Sequence, residues 1–80
     1  MGKDEDFSDR IDESERTEPR LLKSGIPLWN LIGYYYQAVN EDIEATARSY
    51  HIPVEEVEIA LAYYRRHPKM IDAFLALNSV

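Results

Sequence analysis

Few side chains in this sequence could do chemistry. His51 and His67 are the only histidines among 80 residues, and cysteine is absent. Neither a thiolate site nor an all-histidine zinc site can be assembled from them. The carboxylates run together along the chain, as in Glu55, Glu56 and Glu58, with the spacing of surface charge and not of a dedicated acid–base pair. There is no glycine-rich phosphate loop. The expectation is a non-catalytic chain without metal, cofactor or small-molecule substrate. What remains is recognition. Arg48, Arg65, Arg66 and Lys69 can touch phosphates, and six tyrosines with one tryptophan can bury against a partner. The sum of 9 basic and 15 acidic residues is −6, which argues against binding nucleic acid mainly through the chain's own positive field.

The elements that position these residues follow from a shift in composition near Pro19. Residues 1–19 hold eight acids and three bases, and only Met1, Phe7 and Ile11 are apolar. Such a segment buries too little to offset its ordering entropy, so the sequence predicts a disordered acidic tail over 1–19. Residues 20–80 are more than half hydrophobic and form the predicted domain. No apolar run approaches the ~20 residues of a membrane span. The first residues lack the apolar stretch of a secretory signal. A soluble cytoplasmic protein is expected.

Within 20–80 the hydrophobic period is helical. Arg20 to Ile26 reads as a short extended segment. After Pro27, Leu28, Leu31, Ile32 and Tyr35 recur at i, i+3, i+4, i+7, with Gly33 allowing close approach of a neighbour and the helix ending near Val39. Asn40 is the expected N-cap of a second helix with Ile43, Ala47 and Tyr50 inward. His51 is read as its turn or C-cap residue. A third helix over about 54–66 puts Val57, Ala60, Leu61 and Tyr64 on one face. Arg65 and Arg66 suit its C-terminal dipole. His67 is the expected N-cap of a fourth helix that opens at Pro68 and carries Met70, Ile71, Phe74, Leu75 and Leu77. The fold class is therefore all-α, a helix-turn-helix-like bundle of about four helices.

The third helix would be the reading helix of such a unit, yet its outward head is Val54, Glu55 and Glu58, and glutamate repels phosphate. Ile59, Ala62 and Tyr63 form a second apolar stripe on it. That stripe, with Trp29, Tyr36 and Phe74, is the predicted dimer or partner interface; the alternative for the stripe is burial under the fourth helix. Arg48, Arg65, Arg66 and Lys69 are the candidate DNA phosphate contacts.

One family is similar at these residues. Pro19-Arg20-Leu21-Leu22-Lys23-Ser24-Gly25-Ile26-Pro27-Leu28 resembles the "PRIxGTRIPV" segment of domain-of-unknown-function family 433. Glu41-Asp42-Ile43, Ala47, Tyr50, Glu55 to Tyr64, His67 and Ile71-Asp72 resemble its second segment. The likeness spans residues 19 to about 75. It implies a homeodomain-like helix-turn-helix and, in many members, a VapB-like antitoxin that dimerises and neutralises a PIN-like ribonuclease toxin, with repression of its own operon DNA. Three departures stand out: Gly25 replaces the family's arginine, Pro53 its usual hydroxyl cap, and the N-terminal segment is far more acidic. In an antitoxin, Arg10, Arg16 or Arg20 would reach the toxin's active-site carboxylates, or the acidic tail would cover its RNA-binding surface. The alternative is a stand-alone helix-turn-helix DNA-binding regulator.

Overall fold

The computed structural model describes residues 10–14 and 18–78. Two strands, β1 (Ile11–Asp12) and β2 (Arg20–Leu21), precede four helices: α1 (Leu28–Gln37), α2 (Ile43–Tyr50), α3 (Val54–Arg66) and α4 (Pro68–Asn78). The protein is mostly helical, with one small antiparallel sheet that pairs Ile11 with Leu21 and Asp12 with Arg20.

β2 is held on both sides. On one, Leu22 N–H donates to the Arg10 carbonyl at 2.9 Å. On the other, the chain reverses at Gly25, whose φ of +74° is a conformation glycine adopts at no steric cost. Leu21 N–H then donates to the Ile26 carbonyl, and Leu28 N–H to that of Pro19. The chain enters α1 through Pro27, which occupies its N-cap in extended conformation.

α1 buries Leu28, Leu31, Ile32 and Tyr35, the stripe the period predicts. Gly33 lies against α4: a Cβ there would sit 2.9 Å from Leu75 Cδ2. The close approach expected of this glycine is therefore present. The cap of α2 departs from expectation. Asn40 and Glu41 both take positive φ, and Glu41 N–H donates to the Tyr35 carbonyl at 2.7 Å. Both residues thus terminate α1, and Asp42 caps α2, its carboxylate accepting from Ala45 N–H at 3.0 Å. Asparagine tolerates the left-handed region, and that preference outweighs its capping ability here. Thr46 is buried and returns its hydroxyl to the Asp42 carbonyl at 2.9 Å.

α2 stops where His51 turns left-handed at φ 58° and Ile52 N–H closes on the Ala47 carbonyl, a Schellman-type ending. Pro53 then opens α3 without a side-chain cap. Buried Ala47 and Ala60 keep side-chain bulk low where α2 and α3 pack. His67 leaves helical geometry at the end of α3. Its carbonyl accepts from Ile71 N–H in the first turn of α4.

The largest departure is at the N-terminal side. Residues 10–14 and 18–19, which composition assigns to a disordered tail, belong to the fold. Ile11 is 2 % exposed and Pro19 is fully buried. Composition undercounts them because one isoleucine in an acidic stretch suffices when the surface that receives it is already apolar. Residues 1–9 and 15–17 of the expected tail lie outside the described residues. Ile11→Ala should cost about 2–5 kcal/mol, a large share of the stability of a small domain. The drop in urea midpoint measures it, and an unchanged midpoint would mean that β1 contributes nothing to the core.

Candidate functional site

The arm made by β1 and its flanks lies along α3. Glu56 is only 5 % exposed although it carries a charge. Burying a carboxylate without a partner costs several kcal/mol, and Arg10 supplies the partner, its Nη2 donating to Glu56 Oε2 at 3.3 Å. Two turns further along the helix, Tyr63 donates its hydroxyl to Glu13 Oε2 at 2.6 Å. Its ring lies 4.5 Å from that of His67. Glu56, Ala60, Tyr63 and His67 recur at i, i+4, i+7, i+11, one face of the helix, and the arm runs along it. A second carboxylate ties the arm to α1: Glu18 accepts from Trp29 Nε1 and from Arg20 Nη2, each at 2.9 Å. Arg20 also donates to the Gly25 carbonyl. Asp12 stays on the surface and accepts from the Ser14 amide and hydroxyl; these bonds hold its carboxyl below the usual range.

The predicted interface residues separate into three groups. Tyr63 is 1 % exposed and is no surface residue. The arm supplies the cover that the sequence assigned to another chain. Ile59, Ala62 and Trp29 are half-buried, Ile59 and Trp29 against the core. Tyr36 is 45 % exposed, its ring packed edgewise against Tyr35 and Tyr64; it is the outward ring of the Tyr34–Tyr36 run. Phe74 is half-buried on α4.

The predicted phosphate contacts are exposed and lie at helix ends: Arg48 in the last turn of α2, Arg65 and Arg66 in the last turn of α3, Lys69 in the first turn of α4. Of the three arginines assigned to the tail, Arg10 and Arg20 are engaged within the chain as described, and Arg16 lies outside the described residues. Glu13 and Glu18 were not singled out from the sequence, and Glu56, read there as surface charge, is buried. Only Glu56 carried a signal, its position on the stripe with Ala60 and Tyr63; its place in the first turn of α3 is equally that of a dipole partner.

An open groove of about 390 Å³ lies between α1, α4 and the end of α2, lined among others by Trp29, Gly33, Tyr34, Tyr50 and Leu75. Its tyrosine hydroxyls are already paired, Tyr34 with Ser49 and Tyr50 with Asn30, each at 2.6 Å. Among the described residues no cluster of three or more His, Asp or Glu side chains could hold a metal ion. No helix among them is long and apolar enough to cross a membrane.

No family model, no curated protein and no solved structure matches this chain.

Arg10→Ala should lower stability by about 1–3 kcal/mol, the scale of a hydrogen bond to a charged group. Adding Glu56→Gln should recover part of the loss, because the stranded charge is then gone. A double-mutant cycle in urea checks this, and additivity of the two changes would show that the pair does not interact.

Tyrosine chemistry adds a pH dependence. Burial first, then the bond to Glu13, raises the Tyr63 hydroxyl well above its ordinary value. Tyr64 is pushed up to about 12, chiefly by its bond to Asp72 and then by burial. In the unfolded chain tyrosine ionises near pH 10. A group raised in the folded state contributes fully below the unfolded value and loses that contribution as pH rises through the folded one. Stability should therefore fall between pH 10 and 12, and Tyr63→Phe should flatten the fall in urea midpoints taken at pH 9 and pH 11.

Proposed function

We propose that this is a non-catalytic protein-binding module of antitoxin type, acting by holding a PIN-like ribonuclease. The observation that carries the reading is the head of α3. Val54, Glu55 and Glu58 face solvent there, and no base occurs on this helix before Arg65. Such a head repels a phosphate backbone and suits a basic protein surface. The arm already lies along a neighbouring face of the same helix, which narrows its access to a DNA groove. Val54, an exposed large apolar side chain, stands at this head beside Glu55 and Glu58. The family resemblance of residues 19–75 supplies the kind of partner.

A second reading, operator binding, is favoured by the exposed cations Arg48, Arg65, Arg66 and Lys69. In the proposed function it belongs to the complex with a basic toxin, not to the isolated chain.

The reading expects a PIN-like ribonuclease as the product of a neighbouring gene, and co-expression with that product should give a complex of defined mass in solution and abolish RNA cleavage. Failure of the two proteins to co-purify would overturn the reading. The isolated chain should not shift upstream DNA even at low salt. A shift that weakens steeply with salt and is lost in Arg65→Ala/Arg66→Ala would make the protein a DNA-binding regulator instead.

A further inference from the structure

The two strands of the small sheet are not held alike. β2 is anchored without β1. Leu21 N–H donates to the Ile26 carbonyl, Leu28 N–H to that of Pro19, and Glu18 accepts from Trp29 on α1. The arm, by contrast, is held at its rim. It contributes a two-residue ladder, the Arg10–Glu56 pair and the Glu13–Tyr63 bond. Among residues 10–14 only Ile11 is buried. The ion pair is a contact of 3.3 Å, longer than the about 2.7–2.9 Å of a well-formed charge-assisted bond. Arg10 keeps 35 % of its side chain in solvent, and Glu13 is exposed. A hollow of about 350 Å³, lined among the described residues by Glu13, Pro19, Tyr63 and Met70, shows that the arm and the helices do not pack fully there. Release of residues 10–14 regains backbone entropy that offsets the burial of one isoleucine. A segment held in this way opens locally while the helices stay folded.

Opening changes what α3 presents. Glu56 stands in the first turn of that helix with Glu55, next to the solvent-facing Glu58. Arg10 covers it. With the arm away, the acidic head gains a third carboxylate and loses the positive charge beside it. The chain's own arginine thus sits where a cation of a basic polypeptide would be drawn.

We propose that the arm is autoinhibitory: Arg10 occupies Glu56 in place of a basic partner's cation, and a partner that takes Glu56 lifts β1 off α3. The proposal rests on the reading above for the class of partner and adds a competition that regulates access to it. A ligand that binds the open form better shifts the chain toward that form. By linkage, whatever weakens the arm tightens the ligand.

The full chain tests this with octa-arginine as the basic probe. Leu22 N–H, which donates to the Arg10 carbonyl, reports the arm, and the amide of Leu61, inside α3, reports the helices. In hydrogen exchange Leu22 should be about tenfold or more less protected than Leu61, and octa-arginine should speed Leu22 without speeding Leu61. Arg10→Ala should tighten octa-arginine about threefold more than Arg48→Ala, which removes the same charge from the last turn of α2. Adding Glu56→Gln to Arg10→Ala should cancel the difference. Equal protection of Leu22 and Leu61, a Leu22 rate that octa-arginine leaves unchanged, or equal tightening by the two alanine variants would each overturn the proposal. The exchange measurement uses the unaltered chain and so decides even where Arg10→Ala does not fold. Neither measurement involves the ribonuclease, so failure here is distinguishable from failure of that complex to form.

Discussion

A carboxylate that sits under protein must be answered by a cation, and in this fold that requirement falls on Glu56. Among the described residues the cation paired with it is Arg10, 46 residues away along the chain. Ile11 lies in the core opposite Leu21, Glu13 reaches Tyr63, and the face of α3 that carries Glu56 and Tyr63 is closed. Among the described residues no buried side-chain nitrogen or oxygen lacks a partner. The polar contacts of the arm therefore add specificity to an apolar seam without leaving a desolvated group stranded.

What the sequence disclosed, and what it hid, divides by the range of the interaction. The inward face of α1, the tight approach at Gly33, the C-cap role of His51 and the span of α3 all follow from local period and local backbone preference, and all are present in the structure. Near misses arose where two local preferences compete in one residue type. Asn40 is both a capping and a left-handed residue, and the carbonyls at the end of α1 decided between them. The arm was hidden altogether. Its acidic composition is that of a solvated tail, and nothing near Arg10 or Glu13 in the chain announces partners about fifty residues away. Tyr63 was misplaced for the same reason: its hydroxyl is bound by Glu13, fifty residues earlier in the chain. The candidate interface was thus partly legible, at Tyr36 and Phe74, and partly not.

The charges are distributed unevenly over the finished surface. Acids line the head of α3, bases gather at the helix C-termini and the start of α4, and an apolar side chain is exposed at the end of α4. Helix ends explain most of this, since Glu55, Glu56, Arg65 and Arg66 each stand where the dipole of α3 favours them. The dipole does not account for the exposed apolar end of α4, where Leu77 is 79 % exposed.

Because the arm's contacts lie about fifty residues downstream, it is made long before the surface that receives it. At about 5–20 residues per second, a ribosome needs several seconds to reach α3 after synthesising β1. Throughout that interval β1 has at most β2 as a partner, and Ile11 lacks the helices that complete its burial. Asp12 and Glu13 flank that isoleucine in sequence, and adjacent negative charge is what keeps a nascent edge from pairing with a stranger. The acidity that disguises this segment as a tail thus protects the growing chain until its own helix arrives.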